Sequence, residues 1–205
     1  VVICSPNHLH AEHAVACLER GLPIALEKPV APTKEACERV IAAERSNGGR
    51  TLIGFVLRSS PFYAKIHELL ARGLIGRIVS LQADELPGVG VSSVMNRSPW
   101  RRYRDKSGGS MLEKSCHDLD LLNWLMDCRP VSLTSYGNRQ IFVTDPELPE
   151  TCDDCHLQTA CPYYNPTRSD HEGLGEEELL QFIREDHRCI YNIDKDFLDV
   201  QTLQI

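Results

Sequence analysis

The 205-residue chain lacks any run of about 18 uncharged apolar residues, so the sequence predicts no transmembrane helix and no membrane partner. It also lacks an excess of basic residues, because it has 22 lysines and arginines against 29 aspartates and glutamates. The resulting net charge of −7 argues against a nucleic-acid partner, since phosphate binding needs a basic surface. With 42% apolar and 25% charged residues and no low-complexity segment, the composition predicts an ordinary folded protein.

The sequence begins with Val1 rather than methionine, and no signal segment with a basic start and an apolar middle precedes the first predicted strand. Strand-like residues stand at both ends, so we expect a piece of a longer protein or its ordered part. The nine cysteines are an odd number, and several lie in apolar stretches. We therefore expect reduced thiols and a cytoplasmic protein rather than a secreted disulfide framework.

Short apolar runs alternate with amphipathic helices over residues 1–57. The continuous apolar runs typical of strands covered on both faces are 1–4, 23–26 and 51–55. Asn7 and Thr33 are suited to cap the two helices between these strands. The order strand–helix–strand–helix–strand, with short connections, predicts an α/β fold with a parallel sheet and crossover helices.

The pattern changes after residue 57. The elements expected beyond it are a helix over 62–72, a strand over 77–86, an exposed loop over 87–107, a helix over Ser110–Met126, and strands over 131–136, 189–193 and 197–205. Residues 145–187 are polar and predict an irregular insertion with a helix from Glu176 to Asp186.

Polar residues follow the first two predicted strands at the same edge of the sheet. Ser5-Pro6-Asn7, with His10 in the next helix, comes after the first strand, and Glu27-Lys28-Pro29 comes after the second. Open α/β sheets bind ligands at this edge, and the amides that open a helix can hold phosphate or ribose oxygens. Lys28 beside a carboxylate can donate a proton or stabilise an alkoxide. The structural alternatives are a plain capped turn and a solvated ion pair.

The predicted helix after Gly108-Gly109 is the third candidate. Glu113, His117, Asp120 and Trp124 lie on one of its faces at helical spacing. This arrangement can present His117 as an acid–base group, with the carboxylates orienting its ring and raising its proton affinity. The alternative is a polar stripe that faces solvent.

Five segments together resemble the Gfo/Idh/MocA oxidoreductases, a family that contains glucose–fructose oxidoreductase and inositol dehydrogenase relatives. They are residues 1–10, Glu27-Lys28-Pro29, 54–61, 73–76 and 108–120. The family's helix motif is Gly-Gly followed by Asp-x-Gly-x-His-x-x-Asp, in which Glu113 here stands for the Asp and Ser115 for the Gly. The cysteine motif at 152–163, with residues 191–199, resembles one subgroup.

The resemblance implies a fold and an activity. Residues 1–57 would be the C-terminal part of an NAD(P)-binding Rossmann domain. Residues 58–205 would be an α+β substrate and oligomerisation domain with a mostly antiparallel open sheet, incomplete at its C-terminus. The reaction would be hydride transfer between NAD or NADP and a hydroxyl of a sugar, cyclitol or related polyol. A homo-oligomer is expected, and the alternative is an inactive binding or regulatory protein on the same scaffold.

The resemblance also implies residue roles. Lys28 would contact the nicotinamide ribose and the substrate, and His117 would be the acid–base group, with help from Glu113. The cofactor-binding residues would be Ser5, Pro6, Asn7, His10, Glu27, Lys28 and Pro29. Asp120 would orient or support its neighbours, and the looser candidates for the cleft wall are Arg58, Trp100 and Arg101. No metal ligand is assigned among these residues.

The family's Gly-x-Gly-x-x-Gly turn is absent from the sequence. Because that turn holds the pyrophosphate, we expect this chain to bind NAD(P) weakly and to be inactive by itself. A fluorescence titration with NADH tests this expectation, and micromolar affinity would contradict it.

Four cysteines leave two interpretations open. Cys152, Cys155, Cys161 and Cys189 could supply four thiolates to a structural zinc ion. The second Cys-x-x-Cys pair of a zinc ribbon is missing, so the sequence favours free thiols over zinc.

Overall fold

The computed structural model describes residues 1–165 and 187–205. The strands are β1 (Val2–Ile3), β2 (Ile24–Leu26), β3 (Thr51–Ile53), β4 (Thr134–Asn138) and β5 (Val200–Gln204). The α-helices are α1 (His10–Leu18), α2 (Lys34–Asn47), α3 (Pro61–Ala71), α4 (Val89–Arg97), α5 (Arg104–Ser107), α6 (Gly109–Glu113) and α7 (Cys116–Met126). The helix expected from Glu176 to Asp186 lies outside the described residues. Among the residues that are described, no helix is long and apolar enough to cross a membrane.

The first three strands form the predicted parallel sheet, in the order β1-β2-β3. Ile3, Leu26 and Ile53 are paired neighbours across this sheet, and the first two are buried beneath α1 and α2. Leu18 of α1 and Val40 of α2 complete the core, and burial of each such side chain contributes about 1.5–3 kcal/mol.

The helix caps predicted for this region are only partly present. The Thr33 hydroxyl accepts a hydrogen bond from the Ala36 N–H at 3.2 Å, which confirms the cap of α2. Gly48 ends the same helix in the left-handed region, at φ 59°. Asn7 instead begins a short 3₁₀ helix, Asn7–Leu9, and its side chain does not cap. The reason is that its amide bonds elsewhere, as described below.

Several predictions beyond residue 57 were wrong. No strand forms over 77–86, since among the described residues that segment has no pairing partner. The expected exposed loop over 87–107 contains α4 and α5, and Asn96 and Arg97 at the end of α4 are buried. The helix expected over Ser110–Met126 is two helices, α6 and α7, that meet at Lys114–Ser115. Residues 189–193 form turns rather than a strand.

Spatial contacts divide the chain into two compact units. Unit 1 contains residues 1–85, 105–134 and 203–205, and unit 2 contains residues 86–104 and 135–202. These units are not divided at residue 57, because unit 1 continues past it to residue 85 and each unit contains separate stretches of the chain. The domain boundary expected at residue 57 stays a prediction. The fold class is confirmed: a Rossmann-like parallel sheet with helices is followed by a second α+β part, in which β4 and β5 form a two-stranded sheet.

Candidate functional site

The candidate site lies in unit 1, where the ends of β1 and β2 meet the start of the α6–α7 segment. The turn at 5–7 follows β1 and the turn at 27–29 follows β2, at the same edge of the parallel sheet. This placement is the predicted one, because parallel neighbours bring their carboxyl ends together. The peptide bond between Lys28 and Pro29 is cis.

Lys28 joins the sheet edge to α6. Its Nζ donates to the backbone oxygen of Glu113 at 2.5 Å and lies 3.8 Å from Glu113 Oε1. The Lys28 side chain retains 15% of its exposure, whereas that of Glu113 retains 3%. The amine is therefore anchored at a buried carboxylate while part of it stays accessible to a ligand.

Asn7 holds the other side of the Glu113 carboxylate. Its Nδ2 donates to Glu113 Oε2 at 2.5 Å and to the backbone oxygen of Ser107 at 3.0 Å. Asn7 is 2% exposed, so its side chain has little surface left for a cofactor. The amide therefore positions Glu113, and a contact of Asn7 with the cofactor stays a prediction. The backbone oxygen of Ser107 is a partner that sequence reasoning missed, since no side-chain motif marks a carbonyl.

His10 ties the two turns together from behind. Its Nε2 lies 2.7 Å from the backbone oxygen of Ser5, and its Nδ1 lies 2.7 Å from the backbone oxygen of Pro29. The residue is 0% exposed, and both ring nitrogens have partners. Its imidazole therefore supports the edge from within, and a contact of His10 with the cofactor stays a prediction.

Ser5, Glu27 and Lys28 are the polar side chains that remain accessible at this edge. The Ser5 hydroxyl lies 3.0 Å from His13 Nδ1, and Glu27 is exposed. Glu27 packs against Gly54, where a Cβ atom would lie 3.2 Å from Glu27 Oε1. A glycine directly after β3 is the signal from which this close approach could have been predicted.

His117 lies at the start of α7 with its Nδ1 buried and without a hydrogen-bond partner among the described residues. Phe55 packs edge-on to its ring, with centroids 6.2 Å apart. Burial, followed by the positive charges of Lys28 and Lys114, lowers the pKa of His117 from its ordinary value, and Glu27 and Asp120 only partly oppose this. The predicted upward effect of carboxylates on this pKa is present through Glu27 and Asp120, but burial and the two lysines outweigh it. His117 is thus held as a neutral base near pH 7.

Sequence comparison assigns this arrangement to a family. Residues 1–55 match the family model described as an oxidoreductase family with an NAD-binding Rossmann fold. Residues 63–158 match the GFO/IDH/MocA C-terminal domain, so the two matches cover most of the chain. The chain belongs to the Gfo/Idh/MocA family.

Relatives in the Gfo/Idh/MocA family extend the comparison. The protein YteT of Bacillus subtilis (strain 168) is 29% identical over 225 residues, which cover 100% of this chain and 51% of YteT. Inositol 2-dehydrogenase 2 of Saccharopolyspora erythraea is 31% identical over 153 residues, covering 74% of this chain and 42% of the relative. The chain thus spans about half of the length of these relatives or less.

Solved structures of the same fold are similar to the chain as well. A levoglucosan dehydrogenase in complex with NADH and levoglucosan is 27% identical, with a TM-score of 0.57 over 70% of this chain and 39% of that one. A myo-inositol 2-dehydrogenase from Lactobacillus plantarum has a TM-score of 0.60 at 20% identity, covering 67% of this chain and 40% of that one. The second likeness supports the fold alone.

Asp120 and Trp124 lie further along α7 and bind Arg58. The Arg58 guanidinium donates to both Asp120 oxygens, at 2.7 and 2.6 Å, and lies 5.7 Å from the centroid of the Trp124 ring. The His67 ring stacks on Trp124, with the two ring centroids 4.2 Å apart. The supporting role expected for Asp120 is consistent with this bidentate bond. Trp100 and Arg101 lie in unit 2, where they stack on one another, and their role in a cleft stays a prediction.

Metal binding has no preformed site in the part of the chain that the structure describes. Within residues 1–165 and 187–205, no three His, Cys, Asp or Glu side chains are already arranged to hold an ion. All nine cysteines are free thiols.

Proposed function

We propose that the protein is an NAD(P)-dependent dehydrogenase that oxidises a hydroxyl of a sugar, cyclitol or related polyol. The observation that carries the proposal is the pairing of a fixed lysine with a neutral histidine in unit 1. The Lys28 amine is anchored on Glu113, and its charge helps to lower the pKa of His117. An amine that can bind an oxygen and an imidazole that can accept a proton are the groups that oxidation of an alcohol requires.

Relatives support the substrate class. Inositol 2-dehydrogenases are similar at about 30% identity, and a levoglucosan dehydrogenase that binds NADH is similar at 27%. Inositol is a cyclitol and levoglucosan an anhydrosugar, so both offer ring hydroxyls to a dehydrogenase. We extend to this chain the class that they share, which is a ring carbon bearing a secondary hydroxyl.

The residues at the sheet edge fit a nicotinamide cofactor. Ser5, Glu27 and Lys28 are accessible where β1 and β2 end, and the Glu27 carboxylate packs against Gly54. These residues would hold the nicotinamide end, and the bound cofactor would supply the hydride acceptor. The proposal covers both NAD and NADP.

The chain's own residues supply the proton chemistry. Neutral His117 accepts the hydroxyl proton through a ring nitrogen, because its lowered pKa keeps it unprotonated near pH 7. Lys28 donates a hydrogen bond to the same substrate oxygen and stabilises the developing negative charge. Glu113 and Asn7 keep the amine in place, since a four-carbon side chain without an anchor samples many rotamers.

A substrate screen tests the proposal. The protein expressed from its complete gene is mixed with NAD⁺ or NADP⁺ and with a panel of cyclitols, aldoses, anhydrosugars and sugar acids. We expect absorbance of the reduced nicotinamide to appear with at least one member of the panel. Tight binding of cofactor and polyol without turnover would instead favour an inactive regulatory scaffold, and no binding of either would reject both functions.

Self-association is a second part of the proposal. Large apolar side chains in β4 and in the segment after it are exposed, among them Tyr136, Ile141 and Val143. A second copy of the chain would cover them, and sedimentation equilibrium should give a mass that is a multiple of the monomer. A monomer at every concentration would contradict this expectation.

A further inference from the structure

Arg58 and Asp120 form an ion pair beside the candidate site of unit 1. Arg58 belongs to a 3₁₀ helix over Val56–Ser59, which directly follows the Phe55 ring that packs on His117. Its Nε and Nη2 donate to the two oxygens of Asp120 at 2.7 and 2.6 Å, so the contact is bidentate. The Asp120 side chain is 13% exposed, so the guanidinium rather than solvent is the main partner of this carboxylate.

Asp120 also lies where it could bind His117. The two residues are three positions apart in α7, and side chains at this spacing are neighbours on one face of a helix. His117 Nδ1 is buried and has no hydrogen-bond partner among the described residues, although a carboxylate is a common partner of an imidazole N–H. The charge of Asp120 reaches the ring, since it opposes the lowering of the His117 pKa. The histidine thus lacks a bond that a residue on its own helix face could supply.

Aromatic contacts hold the Arg58 guanidinium in this position. Its Cζ lies 5.7 Å from the ring centroid of Trp124, which stands about one turn beyond Asp120 in α7. The His67 ring of α3 stacks on Trp124, with the two planes 5° apart. A guanidinium is attracted to the face of an indole, and its planar fork matches a carboxylate. Both α3 and α7 therefore support the ion pair.

The charges that reach His117 from the other elements are of both signs. Lys28, from the turn after β2, and Lys114, at the end of α6, lower the pKa of His117, whereas Glu27 from the turn after β2 raises it. Glu113, the buried carboxylate of α6, is anchored to Lys28. A direct carboxylate bond to the ring would therefore shift this balance towards the protonated imidazole.

We propose that Arg58 is a positioning residue, which binds the Asp120 carboxylate and so keeps it from pairing with the His117 ring. Because both oxygens are bonded to the guanidinium, Arg58 sets the orientation of the carboxylate. His117 then stays a neutral base that can accept the proton of a substrate hydroxyl. This inference rests on the proposed function, since that function makes His117 the base. Arg58 acts through Asp120 and needs no contact with the substrate.

An NMR titration of the His117 ring tests the inference. The protein expressed from its complete gene is compared with its Arg58→Met variant, and the His117 signal is assigned by its absence in His117→Gln. Without the guanidinium, Asp120 is free to accept the Nδ1 proton, so the proton affinity of His117 should rise by about tenfold. The far-downfield proton signal of a histidine–carboxylate hydrogen bond should appear in the same variant. An unchanged proton affinity would overturn the inference, as would a rise without this signal, which would reflect the lost charge alone.

Matched variants show whether the effect passes through Asp120. When Arg58→Met is combined with Asp120→Asn, the proton affinity of His117 should return close to that of the parent, and Asp120→Asn alone should not raise it. Arg58→Lys should give a value between those of the parent and Arg58→Met, because an amine lacks the planar fork that binds both oxygens. Arg39→Met, at an exposed arginine of α2, should change nothing. An equal rise in the single and the double variant would contradict the inference.

The pH profile of kcat/KM gives a second readout. In Arg58→Met its acidic limb should move to higher pH, because His117 would then be protonated over a wider pH range. An acidic limb that stays at the parent pH would contradict the inference. The NMR titration needs no turnover, so its failure leaves the dehydrogenase proposal intact. In the same way, a protein that oxidises no member of the substrate panel would refute the proposed function without changing the NMR result for Arg58.

Discussion

Asn7 donates a hydrogen bond to Glu113, and the loss of this bond should lower the free energy of unfolding. Because its Nδ2 is a donor to a buried carboxylate, Asn7→Ala leaves that carboxylate with one partner fewer. We expect the free energy of unfolding in urea to fall by about 1–3 kcal/mol. Asn123→Ala, which changes an exposed asparagine of α7, should shift it by less than about 0.5 kcal/mol. A loss in the Asn7 variant no larger than in this control would contradict the positioning role.

The proton affinity of His117 should respond to Lys28. Burial and the Lys28 charge lower the pKa of the imidazole, so the protonated form should appear only below the ordinary value of about 6.5. Lys28→Met removes one of these causes and should move the His117 pKa upward in an NMR titration. Lys34→Met, at an exposed residue of α2, should leave it unchanged. An unchanged pKa in the Lys28 variant would show that the two residues are not coupled.

The lowered pKa of His117 makes one contribution to the pH dependence of stability. Above about pH 6.5, His117 is neutral in both the folded and the unfolded state and makes no difference. As the pH falls below that value, the unfolded chain gains the proton first, so this residue destabilises the fold progressively until its own lowered pKa is reached. The sign is opposite to that expected from the carboxylates alone.

Sequence reasoning selected candidate residues but did not reveal their contacts. Position after a strand selected Lys28, and helical spacing selected Glu113 and His117. Neither property reveals that His10 bonds to the Pro29 backbone oxygen or that Asn7 binds Glu113, since these partners lie 19 and 106 residues away. Burial, which decides between contacting a ligand and supporting a contact, depends on such distant partners.

At the scale of elements, periodicity predicted the parallel sheet and its two helices, because each strand there is a short continuous apolar run. It failed at Ser110–Met126, where helical spacing continues although the backbone does not. The N–H groups of Lys114 and Ser115 both bond to the Ser110 oxygen, which interrupts the regular pattern at that point. The break lets α6 place Glu113 at the sheet edge, against Lys28. This contact is tertiary, so the local spacing of residues does not predict it.

Gly108 precedes α6 in a backbone conformation that favours glycine. Its φ is 88°, and a Cβ atom there would lie 2.6 and 2.8 Å from two atoms of Leu112. Gly108→Ala should therefore lower the free energy of unfolding by about 1–3 kcal/mol. Gly90→Ala in α4, where no atom lies within 4 Å of an added Cβ, should be neutral or stabilising. Chemical denaturation of both variants decides, and equal stabilities would refute the strain at Gly108.

At the scale of the whole molecule, the Gfo/Idh/MocA motifs located the fold because they are spread in order along the chain. The spatial division was not predictable in the same way. Unit 2 collects residues 86–104 with 135–202, and contacts such as that of Arg97 with Arg188 join positions 91 residues apart. The sequence gives the order of the segments along the chain. Their assignment to two spatial units depends on contacts between distant residues, which form only in the folded chain.

The central claim is that Lys28 and His117 carry the proton chemistry of a polyol dehydrogenase, and steady-state kinetics of paired variants test it most directly. With the best substrate of the screen and the protein expressed from its complete gene, Lys28→Ala and His117→Ala should each lower kcat by at least about a hundredfold. Lys34→Ala, an exposed lysine outside the site, should retain the parent rate. Near-parent rates in both site variants would contradict the account.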